Sequence, residues 1–150
     1  MRQSESNTVG TEATRSVFVY GTLMPGESRW DTLAPCVEFA TEGVVEGYEI
    51  FTTDHLSYPF AHVSESGVAR GYFCVLSGDW AASAIRTLDR IEGYDPVNPG
   101  NSLFVREEVV VRTARGSEST AWMYRAGPAL LGIVESCRPV GDVLWSRRSA

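Results

Sequence analysis

A chain of 150 residues with 43% hydrophobic and 21% charged residues is expected to form one globular domain that buries about two-thirds of its unfolded surface. Its formal net charge is −6, and its 13 basic residues, all arginine, are scattered, which argues against nucleic acid or an anionic membrane as a partner. No apolar run approaches the ~18 residues that a membrane span requires.

The N-terminal segment and the cysteines indicate where the protein works. Residues 1–15 are rich in Ser, Thr and Glu and lack the apolar core of a signal peptide, so we expect a disordered tail before a single domain over 16–146. Cys36, Cys74 and Cys137 are odd in number and far apart, which indicates reduced thiols that serve as small core residues. We therefore expect a cytoplasmic protein.

The first predicted element is a strand over residues 17–20, whose continuous apolar run indicates burial on both faces. Gly21 ends it, and the Pro25-Gly26 pair marks a following turn. Because Gly21 has no Cβ, a ligand can approach the backbone closely, and successive N–H groups there can form a nest suited to a carboxylate. The alternative is that the glycine simply ends an ordinary strand.

The middle of the chain predicts short segments separated by Gly, Pro and Ser: a helix over 27–33, strands near 37–41 and 44–51, a loop over 52–58, an extended piece over 60–63, a turn over 64–67 and a strand over 68–76. Glycine precedes tyrosine at 47–48 and again at 71–72. Such glycines are typical of bulges or bends in a curved sheet.

The clearest predicted helix covers 79–93, with Asp79 as N-cap and Gly93 as the residue that stops it. At about 100° per residue, Glu92 lies within the apolar stripe and Asp89 at its edge. Burial and the negative end of the helix dipole would both raise the pKa of Glu92, as general acid–base chemistry near neutral pH requires. The alternative is that the helix end frays and Glu92 reaches solvent.

The rest of the chain predicts a loop over 94–101, a hairpin with strands over 104–113 and 120–124, and a short helix over 129–136. This order indicates an α+β fold with a mostly antiparallel, curved sheet, closed into a small barrel. No His, Cys or Asp group has the spacing of metal ligands, so we expect neither a metal nor a cofactor.

Two motifs now carry a family likeness. Residues 17–23, VFVYGTL, resemble the YGTL signature of the γ-glutamylcyclotransferase-like, or AIG2-like, superfamily, and residues 88–93, LDRIEG, resemble its LDxxEG motif. The Phe104-Val105-Arg106 strand, the AWMY strand over 121–124 and the Tyr58-Pro59 pair are also similar to the family pattern. The likeness covers roughly residues 16–125.

The resemblance implies a small mixed, mostly antiparallel β-barrel with flanking helices and a cavity between the YGTL loop and Glu92. By motif match, Glu92 would be the catalytic acid and base, and the substrate-binding residues would be Tyr20, Gly21, Thr22, Leu23 and Tyr124. The chain departs from the family at Phe104, where the family usually has Tyr, and at 140–143, which match only part of its closing segment.

The implied enzyme would cyclise the γ-glutamyl group of a γ-glutamyl amine or amide to 5-oxoproline and release the free amine. Its partner would be that small-molecule substrate, and the enzyme would be a monomer or a homodimer. Two alternatives stay open: a non-catalytic ligand-binding or regulatory module with the same fold, and an enzyme that removes a γ-glutamyl protecting group within a biosynthetic pathway.

Overall fold

A computed structural model describes residues 15–146 of the chain. Its strands are β1 (Ser16–Val19), β2 (Val37–Thr52), β3 (Phe60–Leu76), β4 (Phe104–Thr113), β5 (Glu118–Ala126) and β6 (Arg138–Pro139). Its α-helices are α1 (Trp30–Leu33), α2 (Ala81–Ile91) and α3 (Pro128–Leu131), with 3₁₀ turns at Ala34–Cys36 and Pro99–Asn101. Apart from Arg15, the predicted tail over 1–15 lies outside the described residues. No helix between residues 15 and 146 is long and apolar enough to cross a membrane.

The strands form one sheet in the order β3-β1-β5-β4-β2-β6, and additional pairing of β2 with β3 closes five of them into a barrel. Strand β1 runs parallel to β5, with Val17 opposite Trp122, and the other pairs are antiparallel. This confirms the small mixed, mostly antiparallel barrel with flanking helices.

Strand β1 is buried on both faces, as its apolar run predicts. Because side chains alternate along a strand, Val17 and Val19 pack in one hydrophobic cluster with α2, while Phe18 and Tyr20 pack in a second cluster. Strand β1 is therefore shielded from solvent along its whole length, and the chain leaves the hydrophobic core at Gly21.

Strands β2 and β3 form one long hairpin, so the predicted break after residue 41 and the predicted turn over 64–67 are wrong. Long-range pairing overrides the local turn preference of Ser and Gly. Residues 64–67 instead oppose Gly47 in a bulge, where the register shifts between Glu46 and Tyr48 and Gly47 has φ of +90°. A Cβ on Gly71 would overlap the carbonyl oxygen of Val19, so this glycine allows β1 to lie close against β3.

The helices differ from prediction at their ends. A turn in which the Trp80 N–H donates to the Ser77 carbonyl precedes α2, so Trp80 and not Asp79 is the N-cap, without a side-chain hydrogen bond. Gly93 stops the helix with φ of +66°, as predicted. Helices α1 and α3 have four residues each and are shorter than predicted. Among the cysteines only Cys74 is a core residue; Cys36 is partly buried and Cys137 is exposed.

Asp89 joins the last turns of α2 to the β4–β5 hairpin. It is 8% exposed, and its Oδ1 accepts hydrogen bonds from the Tyr124 hydroxyl at 2.6 Å and from Arg106 Nε at 2.9 Å. The Arg106 guanidinium also stacks over the Trp122 ring at 4.5 Å. The Asp89 carboxylate, at the edge of the apolar stripe, is therefore buried together with its hydrogen-bond partners. These bonds hold in place the end of α2 that carries Glu92.

We expect Asp89→Asn to lower the free energy of unfolding by about 3 kcal/mol, because Arg106 would lose its carboxylate in a mostly buried site. The matched control is Asp142→Asn, which breaks the exposed ion pair with Arg70 and should cost no more than about 0.5 kcal/mol. Urea unfolding of both variants measures the difference. Equal losses would show that the Asp89 network does not hold the helix.

Candidate active site

A cavity of about 190 Å³ opens between the residues after β1, the end of α2 and the loop that precedes β3. Its lining includes every residue that the motifs predict for the site: Tyr20, Gly21, Thr22, Leu23, Glu92 and Tyr124. The remaining lining residues are Phe18, Val19, Arg29, Tyr58, Pro59, Ile91, Leu103 and Phe104. The fold thus brings the two motifs, some 70 residues apart in sequence, to one site, while the roles of their residues stay predictions.

The loop after Tyr20, residues 21–23, forms a cradle of backbone donors. The carbonyl groups of its first two residues are used within the protein, since Gly21 accepts from the Met24 N–H at 3.0 Å and Thr22 accepts from the Arg29 N–H at 2.7 Å. Within the described chain, no acceptor binds the N–H groups of Gly21, Thr22 or Leu23. Because unpaired N–H groups are costly when shielded from water, this cradle is suited to an anionic or carbonyl oxygen of a ligand.

The hydroxyl of Tyr20 is occupied by the protein. It donates to the Tyr124 carbonyl oxygen at 2.6 Å and accepts from the Ala61 N–H at 3.0 Å. Burial, with a smaller contribution from the negative charge of Glu92, raises the pKa of Tyr20 above its ordinary value. The Tyr124 hydroxyl is likewise bonded to Asp89, and burial raises its pKa above the ordinary value as well. Both tyrosines therefore shape the cavity with their rings.

Glu92 ends α2 and faces the cavity. Its N–H donates to the Leu88 carbonyl at 2.8 Å, so the last turn is intact and the frayed alternative does not hold. Burial raises the pKa of Glu92 from 4.5 to about 7, and the nearby positive charge of Arg29 partly opposes the shift. At neutral pH this carboxyl group is present in both forms, so it can take up a proton and return it.

The Pro59 ring crowds the position that a side chain at residue 21 would occupy. A Cβ at this position would lie 3.0 Å from Cγ and 3.1 Å from Cδ of the Pro59 ring. From the sequence we explain Gly21 by the close approach of a ligand. In the structure the group nearest to this position is the Pro59 ring, which is part of the cavity wall.

Sequence reasoning missed Arg29, which it placed within a short helix. Arg29 is exposed at the cavity. No sequence motif identifies Arg29. It lies next to the cradle because the loop closes through a hydrogen bond from the Arg29 N–H to the Thr22 carbonyl. The described residues contain no group of three or more His, Cys, Asp or Glu that could hold a metal ion.

The site combines two chemical functions. The cradle can bind or stabilise negative charge on oxygen, and Glu92 can exchange a proton near neutral pH. Proton exchange beside a stabilised oxyanion is what acyl transfer to a nitrogen nucleophile requires.

Comparison with known proteins finds solved structures with the same fold. The solution structure of an Arabidopsis thaliana protein superimposes with a TM-score of 0.59 at 20% identity, covering 90% of this chain and 71% of that one. An uncharacterised human protein gives a TM-score of 0.60 at 20% identity, with 85% and 72% covered. A structure described as gamma-glutamyl cyclotransferase gives 0.51 at 18% identity, with 83% and 70% covered.

These likenesses show the fold, and no curated protein matches the sequence. The family model described as "Gamma-glutamyl cyclotransferase, AIG2-like" matches residues 17–146, which is most of the chain. The chain therefore belongs to the AIG2-like gamma-glutamyl cyclotransferase family.

Proposed function

We propose that this protein is a γ-glutamylcyclotransferase-type enzyme that converts the γ-glutamyl group of a γ-glutamyl amine or amide to 5-oxoproline and releases the free amine. The observation that carries the proposal is the placement of Glu92, with a pKa of about 7, in the same cavity as the three free N–H groups of residues 21–23. Family membership supports the class of reaction.

The reaction begins with proton transfer from the substrate's α-ammonium group to the Glu92 carboxylate. The freed α-amine attacks the γ-carbonyl carbon, and a five-membered ring forms in an intramolecular step with a large effective molarity. The carbonyl oxygen becomes an oxyanion, which the cradle of residues 21–23 stabilises. Glu92 then gives its proton to the leaving nitrogen as the original amide C–N bond breaks. The ring nitrogen still carries a second proton from the α-ammonium group, and the Glu92 carboxylate transfers it to the released amine, which leaves as an ammonium ion. The products are 5-oxoproline and the amine, and Glu92 is again a carboxylate.

The size of the cavity limits what it can enclose. A volume of about 190 Å³ is below the roughly 300 Å³ at which pockets for drug-sized ligands begin. We infer that the cavity holds the glutamyl group, while the outer part of the amine passes Leu103 and Arg29, which are exposed at the opening.

The cellular setting is part of the proposal. We place the enzyme in the cytoplasm, where free thiols such as the exposed Cys137 stay reduced, as a monomer or a homodimer. The same chemistry would serve general metabolism or removal of a γ-glutamyl protecting group in a biosynthetic route. A binding module would keep the cradle but would not need a proton carrier, so Glu92 decides between binding and catalysis.

We expect Glu92→Gln to lower turnover by about 10²–10⁴-fold, because the amide keeps the size of the side chain but cannot carry the proton. The control is Glu65→Gln, at an exposed residue of β3 outside the cavity lining, which should leave turnover unchanged. Mass spectrometry of products from a panel of γ-glutamyl compounds measures both. If Glu92→Gln turns over near the wild-type rate, the catalytic role is wrong. If the wild type binds these compounds without forming 5-oxoproline, the chain is a binding module.

The pKa of Glu92 also predicts a pH dependence of stability that needs no substrate. The folded pKa of about 7 exceeds the ordinary value of 4.5, so the folded chain binds the proton more tightly than the unfolded chain. The stability due to this group is fully present below pH 4.5 and is lost as the pH rises through 7. Glu92→Gln should therefore gain stability over the wild type across this range, while the wild-type rate rises as the base form accumulates. Unfolding curves of wild type, Glu92→Gln and Glu65→Gln test this, and parallel curves would contradict it.

Substitution of Gly21 tests the contact between the cradle and Pro59. We expect Gly21→Val to destabilise the fold by about 1–3 kcal/mol, because its side chain must displace the proline ring. Adding Pro59→Ala removes the two crowding ring atoms and should restore part of this loss. Thermal unfolding of both single variants and the double variant measures the coupling. Purely additive effects would mean that the ring does not constrain residue 21.

A further inference from the structure

Arg29 is the basic residue of the cavity lining, and its side chain has no hydrogen-bond or ion-pair partner among the described residues. Five other arginines each pair with a carboxylate: Arg70, Arg106, Arg112, Arg125 and Arg138. Arg29 forms neither an ion pair nor a side-chain hydrogen bond with any residue between 15 and 146. Its planar set of N–H donors, which matches a carboxylate well, is thus free beside the site.

The backbone holds Arg29 in place. Its N–H donates to Thr22 at 2.7 Å, and its carbonyl accepts from the Thr32 N–H at 3.0 Å. The base of the side chain is therefore fixed at the end of the same loop that supplies the cradle. Arg29 and Glu92 line the same cavity of about 190 Å³, so one small ligand can contact both opposite charges. The positive charge of Arg29 also partly lowers the raised pKa of Glu92.

The charges of the site complement those of an amino-acid head group. Among the described lining residues, Glu92 and Arg29 are the acidic and the basic member. A γ-glutamyl compound brings an α-ammonium group and an α-carboxylate, and its leaving amine can carry a second carboxylate. In the proposed reaction Glu92 interacts with the ammonium group. Arg29 then has the charge to bind an anionic group of the substrate.

We propose that Arg29 binds a carboxylate of the substrate and so sets the specificity of this site, an inference that rests on the proposed function. The carboxylate has two possible sources, the α-carboxylate of the glutamyl group and a carboxylate on the leaving amine. In the first case the N–H groups of residues 21–23 are free to serve the oxyanion alone. In the second case the enzyme favours γ-glutamyl amino acids over γ-glutamyl amines.

Two ligands that each carry one carboxylate separate these sources. γ-Glutamyl-ethylamine has only the α-carboxylate, and γ-aminobutyryl-alanine has only the carboxylate of the leaving group. Calorimetry in the Glu92→Gln background measures their binding without turnover. Arg29→Gln removes the charge, Arg29→Lys keeps it without the paired donors, and Arg86→Gln is the control for net charge, because Arg86 is exposed on α2 outside the cavity lining.

We expect Arg29→Gln to weaken binding of one ligand by about tenfold or more, as loss of a charge-assisted hydrogen bond does, with Arg29→Lys intermediate and Arg86→Gln unchanged. A loss confined to γ-glutamyl-ethylamine identifies the α-carboxylate, and a loss confined to γ-aminobutyryl-alanine identifies the leaving group. The proposal is overturned if Arg29→Gln and Arg86→Gln bind both ligands as the parent does, or if the parent binds neither. Absence of 5-oxoproline formation by the wild type would instead refute the proposed function and leave this binding result to stand on its own.

Discussion

The hydroxyl of Tyr20 joins the parts of the barrel on which the site depends. It links β1 to the Tyr124 carbonyl on β5 and to the Ala61 N–H on β3. The Tyr124 side chain continues the series to Asp89 on α2. These buried bonds run from the cradle at one wall of the cavity to the helix that carries Glu92 at the other. Because buried donors and acceptors are costly to leave unpaired, the network sets the separation of the two walls before any ligand binds.

The chemistry of Glu92 follows from that packing. Glu92 shares its cavity with the rings of Tyr20, Phe104 and Tyr124, so much of its surroundings is aromatic rather than water. Burial raises the pKa, and Arg29 at the opening limits the rise. The result lies near neutrality, where a single carboxyl group can act first as a base and then as an acid.

Local patterns predicted the parts of the fold that local forces determine. The apolar run before Gly21 identified β1, and helical phase placed Glu92 toward the cavity. The failures share one cause, which is long-range contact. Residues 64–67 have turn chemistry but lie within β3, because Val63 and Val68 on either side of them pair with β2. Asp79 is not the N-cap, because a turn that begins at Ser77 makes Trp80 the N-cap. The partners of Asp89 and the location of Arg29 depend on loop closure and on hairpin packing, which no spacing in the sequence reports.

The chain has Phe104 where the family usually has Tyr, and this narrows the choice of residues that could carry the proton. Phe104 is buried in the cavity wall against Tyr58, with ring centroids 6.0 Å apart, and has no hydroxyl to offer. The hydroxyls of Tyr20 and Tyr124 are engaged by the protein, and burial holds the pKa of each above its ordinary value. Neither His nor Cys is among the described residues that line the cavity. The proton transfers of the proposed cyclisation therefore fall to Glu92. One carboxyl group suffices because the two protons that the α-nitrogen loses are the two that the leaving nitrogen gains.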